Sequence, residues 1–141
     1  TVAGLSGLTD NMESVDTDTW LEMPGVSHFA LASDDRPDGN LAPSGLALLS
    51  AGVAFCYMTQ LSRYISNMKL DINGMRLVQT SPYQVTGGEG TAGPMETHLF
   101  LNGHAEVETH AKLLNIAAKT CYLHATLAAT LPINIQVESV G

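Results

Sequence analysis

The two cysteines of this 141-residue sequence, Cys56 and Cys121, are its strongest candidates for chemistry. Two readings are open to them. Free cysteine is among the most buried residue types and often serves as a small hydrophobe. Alternatively, if the segments that carry them pack together, the thiols can meet and act as a redox pair. A reactive thiol must be a thiolate, which requires a nearby cation, a helix N-terminus or hydrogen bonds to the sulfur. Cys56 lies more than three turns into a helix that starts near Pro43, beyond reach of the helix dipole. A cation must then be supplied by the fold. Arg36, in the connector before that helix, is favoured, with Asp34, Asp35 and Asp38 as competing partners for its charge. Arg63 shares roughly the face of Cys56 but stands about 10 Å further along the axis.

Other chemistries have thinner support. Cys121-x-x-His124, with Cys56, supplies three metal ligands, but no second matching pair accompanies them, and His98, His104 and His110 show no convergence. No Gly-x-Ser-x-Gly elbow is present, which leaves a serine hydrolase without its nucleophile. The glycine-rich GGEGTAGP (87–94) lacks the Lys-Ser/Thr ending and the strand-to-helix setting of a phosphate loop, and reads as a flexible loop. Thr1 is a conceivable N-terminal nucleophile, with no supporting machinery nearby. The expectation is a chemistry free of metal and cofactor.

The elements that must position the thiols follow from periodicity. Residues 1–26 keep neither a helical nor a strand period and read as irregular, with a short strand around Trp20–Met23. His28–Ala32 reads as a strand, and DDRPDGNLAPSG (34–45) as a connector. From Pro43 to about Lys69 the sequence has no proline after the first position and is almost uncharged, with Ser44 placed to cap it, and predicts a helix of about six or seven turns. Between Leu46 and Met58 it is apolar nearly all round, the pattern of a helix buried on every side or of a membrane span. Ser44, Ser50, Thr59, Gln60, Ser62 and Arg63 interrupt the span, and Ala47, Ser50, Ala51, Gly52 and Ala54 suit close approach by another helix, so a central helix is expected. Strands follow over 70–85, with a turn or bulge at Asn73-Gly74, and over METHLFLN (95–102). His104–Thr130 reads as one helix or two joined near Thr120, and Ile133, Ile135 and Val137 alternate as a closing strand. The sum is a single α+β domain over 1–141, with its core in 27–141 and helices stacked on a mainly antiparallel sheet.

Composition narrows the partners. Fourteen acidic residues against six basic ones give a net charge of −8, and the basic residues form no cluster, which argues against nucleic acid. Only 14% of residues are charged while 45% are hydrophobic, so apolar surface is most simply hidden against a second copy of the chain. Two cysteines do not make a disulfide scaffold, no signal-peptide pattern opens the sequence, and a cytoplasmic setting is expected.

APSGLALLSAGVAFCYMTQLSRY (42–64) and AAKTCYLHATLAATLPINIQV (117–137) together resemble the two cysteine segments of the OsmC/Ohr family, the osmotically inducible and organic-hydroperoxide-resistance proteins. The resemblance covers about residues 40–139. The wording ALLSAGVAFCYMTQ also resembles a branch with two such domains in one chain, which would make this a C-terminal half. The resemblance implies an intertwined homodimer, with central helices wrapped by sheet from both subunits, that reduces organic hydroperoxides. It implies that Cys56 is the peroxidatic thiol and Cys121 the resolving one, with a dithiol or small thiol as reductant. Two departures stand out. The family's first helix usually carries a Glu that holds an activating Arg, whereas Gly45, Leu46 and Ala47 offer no acid; and no Arg precedes Arg36. Arg36 takes the activating place only if the connector folds back over Cys56. A second reading is therefore a catalytically weakened dimer module that binds a small hydrophobic ligand or a partner domain.

Overall fold

The computed structural model describes residues 2–9, 14–21, 28–36, 38–129 and 132–138. The chain forms two compact units, Thr1–Ala51 and Gly52–Gly141, whose boundary falls inside the longest helix. The described residues are a mixed α+β set of three helices and antiparallel sheets.

In the first unit, β1 (Val2–Leu8), β2 (Val15–Leu21) and β3 (His28–Ser33) form an antiparallel meander in that spatial order. This corrects the irregular segment expected over 1–26. The segment lacks apolar alternation because polar pairs help to hold it: the Ser6 and Thr17 hydroxyls meet at 2.8 Å, and His28 Nε2 lies 3.3 Å from Asp18 Oδ1. At the end of β1 the Thr9 N–H donates to the Ser14 carbonyl at 3.1 Å. Of the short strand expected at Trp20–Met23, the first two residues end β2 and the last two lie outside the described residues. The strand expected at His28–Ala32 is present and one residue longer.

The connector is organised by two neighbouring carboxylates. Asp34 is buried and accepts from Arg36 Nε at 3.0 Å, Arg36 Nη2 at 3.0 Å and the Leu41 N–H at 3.2 Å. Gly39 packs so close to this carboxyl that a Cβ there would collide with it. Asp35 accepts the Gly45 N–H at 3.0 Å, and Ser44 Oγ accepts that of Ala47 at 3.1 Å. Two of the donors left open at the start of α1 (Gly45–Asn67) are thereby satisfied, as the sequence anticipates for Ser44.

In the second unit, β4 (Ile72–Thr80) pairs antiparallel with β7 (Glu96–Gly103), and the register shifts between Ile72 and Gly74 where the bulge is expected. The expected loop 87–94 is corrected to a hairpin of β5 (Tyr83–Thr86) and β6 (Glu89–Ala92). Gly87 and Gly88 turn it at φ +63° and +87°, the left-handed pair that a two-residue hairpin demands. The second helical block is two helices, α2 (Val107–Thr120) and α3 (Tyr122–Ala128), broken at Cys121. Tyr57, Leu61, Leu113, Ala117 and Cys121 form the core, backed by Met75 and Leu77 of β4 and Leu99 and Leu101 of β7. Period-two alternation turns Leu99 and Leu101 inward and Phe100 outward, where Arg76 sits 6.0 Å over its ring.

Two expectations fail on the apolar side. The first helix is not buried on every side: Val53, Tyr57 and Leu61 form one buried stripe at four-residue spacing, while Phe55 is 74% exposed and Leu46 and Leu49 are exposed too. By length and composition alone α1 could cross a membrane, a test that core helices of soluble proteins also pass. The closing strand is absent as well. Residues 132–138 have no regular structure, and Ile133, Ile135 and Val137 lie open to solvent. A strand needs a neighbour for its backbone, and none is assigned to this segment.

Candidate functional site

Both thiols belong to the second unit, and the core brings them together. Cys56 stands in the middle of α1, half-buried, on the turn that carries Tyr57 into the core. Cys121 is fully buried and occupies the extended residue between two helices, at φ −80° and ψ 114°. Its backbone serves both ends: its N–H donates to the Ala118 carbonyl at 3.4 Å, and its carbonyl accepts the Ala125 N–H at 3.1 Å. This break aims the side chain inward, and Cys121 Sγ donates to Cys56 Sγ at 2.9 Å. Neither cysteine is in a disulfide, yet the sulfurs lie within about 1 Å of the roughly 2.05 Å length of that bond.

Their surroundings are apolar. Burial, with the hydrogen bond donated to Cys56, pushes the Cys121 thiol above its ordinary pKa, against the opposing effect of the His124 and Leu123 N–H groups. Those N–H groups face the sulfur without closing a capping bond. The Tyr57 phenol is pushed up by burial and then by the neighbouring Cys121, and its hydroxyl donates to the Leu114 carbonyl at 3.2 Å. The Tyr57 and His124 rings stand 4.8 Å apart, tilted by 45°. Burial lowers the His124 pKa and so favours the neutral ring. Its Nδ1 is buried with no hydrogen-bond partner among the described residues.

The sequence singled out three site residues, and two of them meet. Arg36 belongs to the first unit, where its guanidinium is paired in parallel with Asp34. That pairing, offset in part by burial, holds the Asp34 carboxyl well below the usual carboxylate range. Arg63 lines a polar cleft of about 250 Å³ with Gln60, Tyr64, Asn67, Thr120 and Tyr122. Among the described residues no three His, Cys, Asp or Glu side chains converge as a metal site. Sequence reasoning missed Tyr57 as a neighbour of the pair and saw His124 only as a ligand type. The signals were present: Tyr57 adjoins one cysteine, and His124 follows the other by three residues.

Comparison with known proteins bears on the family and the fold. The family described as OsmC-like protein matches residues 37–136, which include both cysteines. No curated protein matches the chain. Among solved structures, the chain is similar to an OsmC-like hydroperoxide resistance protein from Jannaschia sp. CCS1, at 23% identity and TM-score 0.63, over 98% of this chain and 91% of that one. An OsmC-like protein from Mycoplasma pneumoniae is 16% identical at TM-score 0.69, over 92% and 89% of the two chains. An organic hydroperoxide resistance protein of Bacillus subtilis is 16% identical at TM-score 0.58, over 92% of each. At these identities the likeness is one of fold.

Proposed function

Given that the chain belongs to the OsmC-like protein family, we propose that it is a thiol-dependent peroxidase that reduces organic hydroperoxides through Cys56 and Cys121. The single observation that carries this reading is the 2.9 Å contact between two thiols 65 residues apart in sequence. Core packing alone needs no such contact. Cys56, the less buried of the two, attacks the terminal peroxide oxygen, an alcohol departs, and a sulfenic acid remains on Cys56. The Cys121 sulfur then displaces water from it to form a disulfide, which a dithiol or small thiol reduces. The hydroperoxide resistance proteins of similar fold support a peroxide-related role. A reducing, cytoplasmic setting fits two unpaired thiols.

One equivalent of cumene hydroperoxide is expected to remove both titratable thiols, and peptide mass spectrometry should find a Cys56–Cys121 disulfide. Two thiols that stay inert would overturn the reading. The alternative, a weakened module that binds a hydrophobic ligand or partner domain, draws on the Asp34–Arg36 pair, which already neutralises the cation nominated as activator. The same titration decides between them.

We further propose a homodimer. The exposed Phe55 face of α1 and the apolar 132–138 segment supply surface for a second copy to cover. Light scattering at micromolar concentration should give twice the chain mass; a monomer there excludes it.

A further inference from the structure

The resolving step sets a proton problem that the two sulfurs cannot solve by themselves. Cys121 must lose its proton to attack, yet it is wholly buried and donates that proton to Cys56. Cys121 is also the residue from which α3 starts, and His124 stands three residues on, with its backbone N–H facing the Cys121 sulfur. The His124 ring packs at 4.8 Å against Tyr57, the residue next to Cys56. Its Nδ1 is buried and makes no hydrogen bond among the described residues. A buried acceptor left open on the residue whose N–H faces the Cys121 sulfur needs an explanation, because an unsatisfied polar atom destabilises the fold. With the ring proton on Nε2, Nδ1 presents a lone pair able to receive one more.

We propose that His124 is the proton acceptor of the resolving step. The Cys121 sulfur attacks the Cys56 sulfenic sulfur, and the S–S bond forms as the S–O bond breaks. Nδ1 is hydrogen-bonded to neither sulfur in the reduced protein; the Cys121 proton passes to it only as the resolving step proceeds, and from there to the departing hydroxide, which leaves as water. Cys121-SH and Cys56-SOH thus give the disulfide and one water, with the hydroperoxide as the only oxidant. The proposal rests on the peroxidase reading and assigns a role within it.

The test separates oxidation from resolution. His124→Gln keeps a polar side chain that is no base near neutral pH, and His124→Ala leaves a ring-sized space. Each protein is mixed with one equivalent of cumene hydroperoxide. Loss of the first thiol reports oxidation; dimedone trapping of the sulfenic acid and quenched mass spectrometry report disulfide formation. Oxidation should keep its rate in both variants, and disulfide formation should slow about 100-fold, the lower end of what a lost general base costs. Added imidazole should restore the Ala variant but not the Gln variant. Disulfide formation at the parent rate in His124→Gln, or a slowing in His124→Ala that imidazole does not relieve, overturns the assignment. If the unaltered protein forms no sulfenic acid at all, the peroxidase reading fails first and takes this assignment with it.

Discussion

Cys56→Ser is expected to reduce hydroperoxide consumption to the uncatalysed background, a loss on the order of 10³-fold or more, the scale on which removal of a covalent nucleophile acts. The hydroxyl that replaces the thiol stays protonated and is a poor nucleophile toward a peroxide oxygen. Cys121→Ser should behave differently: Cys56 still reacts once, and the sulfenic acid persists for want of its partner at 2.9 Å. The first variant thus shows no reaction, and the second one equivalent consumed followed by arrest. The asymmetry follows from burial, because a peroxide can approach the half-buried Cys56 and cannot approach the enclosed Cys121. Full turnover by Cys56→Ser in a coupled peroxide assay would move the chemistry elsewhere. A single equivalent consumed by Cys56→Ser and none by Cys121→Ser would exchange the two roles.

The second large effect is on stability. Leu61 is completely enclosed and packs with Tyr57, Leu113 and Ala117, against the inward faces of β4 and β7. Leu61→Ala removes apolar contact from a stripe that has few buried members, and should cost about 2–5 kcal/mol, depending on how far the site collapses. Urea unfolding followed by circular dichroism at matched protein concentration measures it, since association would otherwise shift the apparent stability. A loss below about 1 kcal/mol would show that this cluster is not the core that holds the two helices together. The thiol contact should loosen with it, because the residues that pack around Leu61 also pack around Cys121.

The sequence made α1 legible because a long apolar run without proline, led by Ser44, has few other folded outcomes. β4 and its bulge were legible for a similar reason, with Asn73-Gly74 set among alternating apolar residues. β1 and β2 were not, since alternating Asp and Thr in VDTDTWL carries no apolar period and the pairing is supplied by partners across the meander. Residues 133–137 show the opposite failure: alternation tells which faces a chain would present, and says nothing of whether a neighbour exists. At the site, the two cysteines could be chosen by residue type. Their meeting could be stated only as a condition, because it depends on packing between distant segments and on a helix break at Cys121, anticipated near Thr120 as one of two readings, that no proline or glycine marks. Arg36 was read with its competing acids, and Asp34, the one of the three that lies buried, holds it.

Kinetics gives the contact between the sulfurs a further meaning. Two groups 65 residues apart in an open chain would meet rarely, whereas the folded core holds them 2.9 Å apart. For well-oriented groups of this kind, effective molarities reach about 10⁵–10⁸ M, far above the concentration of any dissolved thiol. On the proposed peroxidase reading, an oxidised sulfur on Cys56 therefore meets Cys121 before it meets a competitor from solution. On that reading the packing of Leu61, Leu113 and Ala117 sets the order in which thiols react, and any variant that loosens it should lose that order and collect mixed disulfides with small thiols.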